Sequence, residues 1–438
     1  MSQLLERTTF TTSRLLDFAS EKELVAQAGH QKVDWPLVVL KELMDNGLDA
    51  CEEGSSAPEI SVSVNSQGIA VADNGPGLPV ETIKNILDYT VRVSSREAYV
   101  APDRGAQGNA LKTIVAMPFV LDGNEGQVVI SAQGTDTIIT FRVDRIRQEP
   151  VIDVDTQESF VKSGTSVKVR WPDSACSLLM DRKARFFQIA DDYTWLNPHL
   201  SLTLDWLEEC WTAQATNPEW SKWKPILPTC PHWYDVEALA RLVSAYIAHD
   251  MDTSRERSVR EFVSEFRGLS STSKQKAVLE STGLARQPLS ALVKNGNIAS
   301  DLACSLLAAM QRESKPVKPQ MLGVIGKEHL KARFQEAGCD TDSFQYKAIL
   351  STEPLPEVYE FAFGYCPNRE DQGRRLVTGV NWSPGILNPF RRLNHFQSMD
   401  GLLSEAHCGP SEPLIVFLHV ASPVVRYTDR GKSAVEVS

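Results

Sequence analysis

The sequence predicts an α+β fold with more than one domain, and three observations lead to this prediction. The chain has 438 residues, more than a single hydrophobic core usually serves, so we expect two to three domains. Alternating apolar and polar residues predict strands, for example at 59–64 and 137–143. A helical spacing of apolar residues instead dominates residues 236–311, between two regions of mixed pattern.

A helix near the N-terminus is predicted for residues 34–51. Asp34 is placed to cap this helix, and Pro36 falls in the first turn, where a missing N–H costs nothing. Apolar residues recur along it at intervals of 3, 4, 4 and 3, as Leu37, Leu40, Met44, Leu48 and Cys51. Because this spacing puts them on one face, we expect that face to lie against a core.

The same helix carries a second, polar stripe formed by Glu42, Asn46 and Asp49. A glutamate and an asparagine one turn apart can serve an attacking water and a metal ion together, and Mg²⁺ takes oxygen ligands of this kind. The alternative interpretation is an amphipathic helix whose polar face is only solvated.

Residues 69–78, Ile-Ala-Val-Ala-Asp-Asn-Gly-Pro-Gly-Leu, predict a strand that runs into a glycine turn. The Asp73 carboxylate would stand at the end of the strand, where it can accept a hydrogen bond from an exocyclic amine such as that of adenine. Gly75 and Gly77 would let the backbone approach a ligand closely. Taken alone, the segment also fits an ordinary turn.

Residues 104–113, Arg-Gly-Ala-Gln-Gly-Asn-Ala-Leu-Lys-Thr, predict a glycine-rich loop that opens an apolar helix. Backbone N–H groups at such a helix start bind phosphates, and Lys112 adds a positive charge. This segment is therefore predicted to bind phosphate.

These three segments, in this order, resemble the GHKL ATPases, which include gyrase-type topoisomerases, MutL, histidine kinases and certain heat-shock chaperones. The match is to Glu-xxx-Asn-xx-Asp-Ala, Asp-x-Gly-x-Gly and a Gly-xx-Gly lid. Residues 41–53 and 73–79 also resemble the B subunit of topoisomerase VI. The resemblance implies a GHKL (Bergerat) α/β sandwich with an N-terminal strap over residues 1–228, a helix-two-turns-helix-like helical module over 229–313, and an α/β transducer domain over 314–438.

The resemblance also implies roles for single residues. Glu42 would be the general base, Asn46 would hold Mg²⁺, and Asp73 would select adenine with the help of Thr165. Lys432 would reach the γ-phosphate of ATP as a second catalytic residue, and residues 88–104 would form the lid over the nucleotide. The implied ATP-binding set is Asn46, Asp49, Asp73, Asn74, Gly75, Gly77, Arg104, Gly105, Gln107, Gly108, Asn109, Ala110, Leu111, Lys112, Thr113 and Thr165.

Two departures from topoisomerase VI stand out. The lid has Ala110 where that family has glycine, and it adds Lys112, so that Gly-Asn-Ala-Leu-Lys resembles the Gly-Asn-Gly-Leu-Lys lid of the MORC ATPases. The family continues beyond the lysine into a long helix that docks the DNA-cleaving A subunit, whereas the sequence stops six residues after Lys432. Either the chain is cut there, or a partner docks differently, or there is none.

The function implied by the resemblance is an ATP-dependent dimerising clamp, the B-type ATPase subunit of a topoisomerase VI-like DNA strand-passage or cleavage complex. Its cofactors would be ATP and Mg²⁺, and its partners DNA, a second copy of the chain and a separate DNA-cleaving A-type subunit, because no DNA-cleavage apparatus is recognisable in the sequence. The alternative is a stand-alone MORC- or chaperone-like GHKL clamp on DNA or protein, with genome defence among its roles.

A cluster of basic residues in the helical module is a candidate contact for the DNA backbone, with a solvated helical surface as the alternative. It consists of Arg255, Arg257, Arg260, Arg267, Lys274 and Lys276. The whole chain has a net charge of −11, so its global charge gives no support for nucleic-acid binding.

Composition also bears on membrane insertion, secretion and cysteine chemistry. No run of 18 apolar residues occurs, so we expect no transmembrane helix and no membrane partner. The N-terminus lacks a basic region followed by an apolar one, so no secretion signal is predicted. The eight cysteines are scattered, without a Cys-x-x-Cys pair, which predicts reduced thiols, a cytoplasmic location and no zinc site.

Overall fold

The computed structural model describes most of the chain. The described residues are 19–54, 56–87, 99–104, 110–144 (for Ala110 the backbone alone), 146, 149–224, 226–392, 398–428 and 434–436.

The first part of the fold is a mixed sheet of eight strands. The strands are β1 (Glu59–Asn65), β2 (Gly68–Asp73), β3 (Gly126–Ala132), β4 (Thr135–Asp144), β5 (Glu149–Glu158), β6 (Thr165–Arg170), β7 (Ser201–Trp206) and β8 (Glu209–Ala213). Their order in the sheet is β5-β4-β3-β6-β2-β1-β7-β8. The pair β1–β7 is parallel and the other neighbours are antiparallel. Strands β1 and β2 form a hairpin, because Asn65 pairs with Gly68 across a tight turn.

Helices cover this sheet and bury the first core. They are α1 (Glu21–Ala28), α2 (Trp35–Glu53), α3 (Val80–Ile86), α4 (Ala110–Asp122), α5 (Cys176–Met180) and α6 (Lys183–Leu196). Alternation along β1 turns Ile60, Val62 and Val64 inward, where α2 packs on them. Helices α4 and α6 join the same core, so the sheet and helices form the expected sandwich.

The middle of the chain is helical, as predicted. It consists of α7 (Val236–Asp252), α8 (Val259–Ser264), α9 (Thr272–Thr282) and α10 (Ser300–Glu313), with a two-residue hairpin between the last two, β9 (Val293–Lys294) and β10 (Asn297–Ile298). Local chemistry explains the helix starts. Asp235 accepts a hydrogen bond from the Ala238 N–H, and Ser258 and Glu261 form a reciprocal capping box.

The C-terminal part carries a second sheet. Its elements are α11 (Lys327–Glu336), β11 (Gln345–Ser351), β12 (Glu357–Tyr365), β13 (Arg375–Val380), β14 (Ser383–Pro384), α12 (Met399–Glu405) and β15 (Leu414–Ala421). The sheet order is β11-β12-β15-β13-β14, with β13 and β15 parallel. One continuous core joins this sheet to helices α7–α10, while the boundaries at 228 and 313 stay predictions.

Cysteine pairing departs from the sequence-based expectation. Cys339 and Cys366 form a disulfide, so the expectation of reduced thiols is wrong for these two. The turn after α11 and the end of β12 bring their Cα atoms within 3.9 Å although they are 27 positions apart in sequence. The other six cysteines are free thiols. No helix in the described residues is both long and apolar enough to cross a membrane.

Candidate functional site

The apolar stripe of α2 faces the core as predicted. Its five residues are at most 1% exposed: Leu37, Leu40, Met44, Leu48 and Cys51. Pro36 lies in the first turn, but the predicted capping by Asp34 is wrong, because its side chain makes no capping hydrogen bond. Asp34 Oδ1 instead lies 3.1 Å from Arg182 Nε, and this ion pair ties the start of α2 to the start of α6.

The polar stripe of α2 divides into two parts. Glu42 is half-buried and Asn46 is exposed, and they stand one turn apart on the same face. Asp49 is only 8% exposed, and its Oδ1 accepts a hydrogen bond from Arg104 at 2.7 Å. Of the three, Glu42 and Asn46 are therefore accessible to a ligand. They supply a carboxylate that can take a proton and an amide oxygen that suits a hard cation.

Asp73 ends β2 directly beside α2, with one of its carboxylate oxygens fully engaged. Oδ1 accepts hydrogen bonds from the N–H groups of Gly75 at 2.8 Å and Thr165 at 3.3 Å. Within the described part of the chain, no group donates to Oδ2. Burial raises the pKa of Asp73, although the two backbone N–H groups oppose the shift. This geometry leaves one acceptor oxygen that can take a hydrogen bond from an amine.

The register of the sheet brings Thr165 next to Asp73, since the two residues face each other across β2 and β6. The preceding Gly164 has a φ of 72°, and a Cβ there would lie 1.9 Å from the Asp73 carbonyl oxygen. Its N–H donates to the Gly75 carbonyl at 3.0 Å. Gly77 has a φ of 83°, which L side chains rarely adopt. The turn after β2 is thus locked against the start of β6, as a preformed pocket wall requires.

The sequence-based interpretation missed Gly47, which faces Asp73 from the middle of α2. A Cβ at this position would lie 3.4 Å from Asp73 Cβ and 3.7 Å from Oδ2. A glycine inside a helix costs about 1 kcal/mol relative to alanine, and this cost was the signal that could have identified it. The missing side chain leaves space beside the free oxygen of Asp73.

The side chain of Asn74 makes three hydrogen bonds within the protein. Its Oδ1 accepts hydrogen bonds from the Glu59 N–H at 3.0 Å and from the Cys51 thiol at 3.1 Å, and its Nδ2 donates to the Ala57 carbonyl at 3.0 Å. The amide therefore fixes the segment between α2 and β1 to the turn after β2. The contact of Asn74 with ATP stays a prediction.

Arg104 is also buried within the protein. Its side chain is 0% exposed and donates to Asp49 at 2.7 Å, to Glu52 at 2.7 and 2.8 Å, and to Asn197 at 2.5 Å. Asn197 in turn donates to the Trp382 carbonyl at 2.9 Å. Arg104 therefore anchors the end of the predicted lid to α2 and to the second sheet, and it has no free donor pair to offer a phosphate.

Glu52 receives two further partners. Lys222 Nζ lies 2.8 Å from its Oε2, and His199 Nε2 lies 3.0 Å from its Oε1. Burial alone would raise the pKa of Glu52, but Arg104 and Lys222 hold it well below its usual range. We call these groups, which are Arg104, Asp49, Glu52, Asn197, His199 and Lys222, the Arg104 cluster.

The predicted phosphate loop is described only in part. Residues 105–109, which include Gly105, Gln107, Gly108 and Asn109, lie outside the described residues, as do 88–98 of the predicted lid and Lys432. Helix α4 begins at Ala110, so its N-terminus follows the loop directly. Leu111, Lys112 and Thr113 are buried, Lys112 to 3% exposure. The MORC-like lid motif stays a prediction.

A polar junction joins α2 to the second sheet one residue before Glu42. Lys41 Nζ lies 2.7 Å from Asp45 Oδ2 and 2.6 Å from Ser383 Oγ, and that hydroxyl also bonds to Asp45 at 2.8 Å. Tyr193 donates to Asp45 Oδ1 at 2.8 Å. We call Lys41, Asp45, Tyr193 and Ser383 the Lys41 junction.

Tyr427 lies near this junction and pairs with Val435 in an isolated antiparallel bridge. Burial alone would lower the pKa of Lys41, but Asp45, Glu42 and Tyr427 raise it overall, so Tyr427 lies within electrostatic range of α2. Tyr427, which precedes Lys432 by five positions in the sequence, is thus close to the helix that carries Glu42.

Among the basic residues of the helical module, Arg257 is buried, whereas Arg255, Arg260 and Lys276 are exposed. Arg257 is buried, with its Nε 3.5 Å from Asp250, its NH1 2.8 Å from Glu265, and its guanidinium 4.1 Å from the centre of the Tyr246 ring. Lys274 donates to the Gly268 carbonyl at 2.9 Å. These contacts give Arg257 and Lys274 a structural role, while the contact of the cluster with DNA stays a prediction.

Comparison with known proteins now bears on this geometry. Residues 32–173 match the family described as histidine kinase-, DNA gyrase B-, and HSP90-like ATPase. These residues contain α2, the turn after β2 and the start of β6. Among solved structures, the Aquifex aeolicus MutL ATPase domain complexed with ADP aligns at 16% identity and a TM-score of 0.25, over 40% of this chain and 62% of that one.

Two curated relatives align along most of the chain. It is 23% identical over 427 residues to the B subunit of type 2 DNA topoisomerase 6 from Archaeoglobus fulgidus, covering 91% of this chain and 66% of that protein. It is 24% identical over 439 residues to the protein of the same name from Methanococcoides burtonii, covering 91% and 64%. The chain thus spans about two thirds of the length of these relatives. Residues 32–173 therefore form a domain of the histidine kinase-, DNA gyrase B-, and HSP90-like ATPase type.

Proposed function

We propose that this protein binds and hydrolyses ATP as the B-type subunit of a topoisomerase VI-like complex, and that ATP binding closes it into a dimer around DNA. One observation supports the ATPase part above all others. Helix α2 exposes Glu42 and Asn46 on one face, and its Gly47 lies against Asp73, whose Oδ2 has no donor among the described residues.

On this proposal, each residue of the site has a separate role. Asp73 Oδ2 accepts the exocyclic amine of adenine, with Thr165 beside it. Asn46 offers its amide oxygen to Mg²⁺, which, when bound, neutralises charge on the phosphates. The loop that opens α4, together with Lys432, completes the phosphate site, and the exposed amide and half-buried carboxylate of α2 suit these ligands.

Glu42 would act as the general base. It takes a proton from the attacking water as a bond forms between that oxygen and the γ-phosphorus and the bond to the β–γ bridging oxygen breaks. A half-buried carboxylate suits this task, since it is accessible to water yet partly shielded from bulk solvent. The neighbouring Lys41 junction fixes the part of α2 from which Glu42 projects.

The test is Glu42→Ala, which should abolish ATP hydrolysis while leaving ATP affinity within about threefold of the wild type, because a general base acts on the water and not on the bound nucleotide. Glu81→Ala is the matched control, since the Glu81 side chain is 83% exposed on α3. Normal turnover by the Glu42 variant would contradict the assignment.

DNA and a separate DNA-cleaving subunit enter the proposal through the names of the two relatives, each the B subunit of a type 2 DNA topoisomerase 6. On this proposal the protein works in the cytoplasm, where both DNA and ATP are present. Affinity purification from the native host with a non-hydrolysable ATP analogue tests it. Recovery of a stoichiometric partner that relaxes supercoiled DNA together with this chain and ATP would support it.

A stand-alone clamp is the second candidate. The internal engagement of Arg257 and Lys274 favours it, because the helical module then offers fewer side chains to DNA. ATP-dependent self-association without any co-purifying subunit would support this candidate over the first.

A further inference from the structure

A cleft separates the first sheet from the second, away from the nucleotide site. Its volume is about 1320 Å³. One wall is formed by α6 and β8, and the other by α11, β13 and the turn at Pro367–Arg369. Among the described residues, none of the predicted ATP-binding set lines it. A ligand in this cleft would contact both halves of the molecule without competing with ATP.

Positive charge is concentrated in the cleft. Five arginines line it, together with two carboxylates, Asp191 and Glu336. The arginines are Arg185, Arg333, Arg369, Arg374 and Arg375. In a chain with a net charge of −11, five arginines in one cleft indicate an anion site.

Three of the arginines have carboxylate partners. Arg375 NH2 lies 2.8 Å from Asp191 and 2.6 Å from Asp192, and Arg333 NH1 lies 2.8 Å from Glu336. Arg374 pairs with Asp400. These pairs fix the walls of the cleft and leave the five arginines facing four carboxylates, an excess of one positive charge.

The other two arginines have no carboxylate partner in the described part of the chain. Arg185 NH2 donates to the carbonyls of Gly385 at 3.3 Å and Ile386 at 2.7 Å, and Arg369 Nε donates to the Gly373 carbonyl at 3.3 Å. Burial lowers the pKa of Arg369, and the charge of Arg375 lowers it further. Both guanidinium groups stay charged at neutral pH, and Arg375 repels both of them, although Asp192 attracts Arg185.

Donors in the cleft are also incompletely used. The Nε atoms of Arg333 and Arg375 are buried and have no acceptor in the described structure. Arginine presents its N–H groups as a planar fork that matches the oxygens of a phosphate. We propose that this cleft binds the phosphate groups of an anionic ligand, supplied either by a nucleic-acid backbone or by a free polyphosphate, with Arg185 and Arg369 as the principal contacts.

The experiment uses the full chain without ATP, so that its outcome is independent of the ATPase proposal. Binding of a labelled double-stranded oligonucleotide is measured as a function of salt, and thermal stabilisation is measured with inorganic pyrophosphate. The variants are Arg369→Gln and Arg185→Gln. The control is Arg312→Gln, which removes the same charge from a 61% exposed side chain on α10.

If the backbone is the source, each cleft variant should weaken DNA binding about threefold to tenfold and reduce the slope of log affinity against log salt by about 0.9, whereas Arg312→Gln changes neither. If a free polyphosphate is the source, the variants should lose the stabilisation by pyrophosphate and keep the DNA slope. Arg369→Lys, which retains the charge, should restore binding in part. Variants that behave like Arg312→Gln in both measurements would overturn the proposal.

Discussion

Asp73 and Glu52 are both carboxylates in the ATPase domain, yet their surroundings are opposite. Asp73 receives two backbone N–H groups on one oxygen and no cation, and burial raises its pKa. Glu52 contacts Arg104, Lys222 and His199, and the two cations hold its pKa well below its usual range. One carboxylate oxygen of Asp73 can still accept a hydrogen bond from a ligand, whereas both oxygens of Glu52 are bound by side chains of the protein.

The same difference, between a side chain bound within the protein and one open to a ligand, is found between neighbouring residues of one motif. On α2, Asp49 belongs to the Arg104 cluster, while Asn46, three residues earlier, is exposed. A residue type at the right spacing therefore does not reveal whether its partner will be a ligand or the protein. The variants below test this division.

The largest effect is expected from Arg104→Ala. Removing the guanidinium leaves Asp49 and Glu52 buried with too little positive charge, so the free energy of unfolding should fall by about 3–5 kcal/mol. Urea denaturation measures this loss. Arg142→Ala, which breaks an ion pair whose side chains are 50% and 46% exposed, is the control and should cost less than about 1 kcal/mol. Equal losses of unfolding free energy in the two variants would show that the buried Arg104 cluster stabilises the protein no more than an exposed ion pair.

Asp73→Asn should show the reverse pattern. ATP affinity is expected to fall about tenfold to hundredfold, or about 1.4–2.7 kcal/mol, because an amide cannot replace the carboxylate as acceptor for adenine. The free energy of unfolding should change by less than about 1 kcal/mol, since no cation is left unpaired. Calorimetric titration with ATP and with inosine triphosphate measures both affinity and base preference. Unchanged affinity would exclude Asp73 from base recognition.

The two carboxylates should also give opposite pH dependences. Glu52 has a lowered pKa in the folded state, so its contribution to stability is present above about pH 4.5 and is lost as pH falls through the folded pKa. Asp73 has a raised pKa, so its contribution is present below about pH 3.8 and is lost as pH rises through the folded pKa. Urea denaturation from acidic to neutral pH should show a flatter rise with pH in Glu52→Gln and a steeper one in Asp73→Asn. Parallel curves for the two variants would contradict this assignment.

The smallest effect is expected from Gly47→Ala. The methyl group finds ordinary contacts at 3.4 Å, so helix propensity should stabilise the protein by up to about 1 kcal/mol. The same group occupies space beside Asp73 Oδ2, so ATP affinity should fall about twofold to fivefold. A stabilised variant with full affinity would show that Gly47 does not shape the pocket.

Local patterns predicted the elements whose burial alternates regularly. The apolar stripe of α2, the β1–β2 hairpin and Asp73 at the end of its strand all follow from spacing alone. Strand β5 escaped prediction because it is an edge strand with mostly polar or half-buried residues and little alternation. Strand β11 also escaped prediction, because it is exposed along most of its length.

The division of site residues between ligand and protein could not be predicted. Arg104 reaches partners 52 to 93 positions away in sequence, and nothing local to the Arg-Gly segment indicates them. Asn74 is similar, because its partners lie on the segment that joins α2 to β1 and become neighbours only when the sheet forms. Hydrogen bonds between residues distant in sequence thus determine which motif residues can still contact a ligand.

Helix α2 is held at three places: by Asp34 and Arg182 at its start, by the Lys41 junction, and by the Arg104 cluster near its end. It has 19 residues and is about 28 Å long, so tilting it by about 5° about one end would move the other end by roughly 2.4 Å. A misplacement of about 1 Å can slow catalysis about 100-fold. Since Ser383 belongs to the second sheet, a small rotation of that sheet would tilt α2 and change the rate of the proposed ATP hydrolysis without contacting the nucleotide.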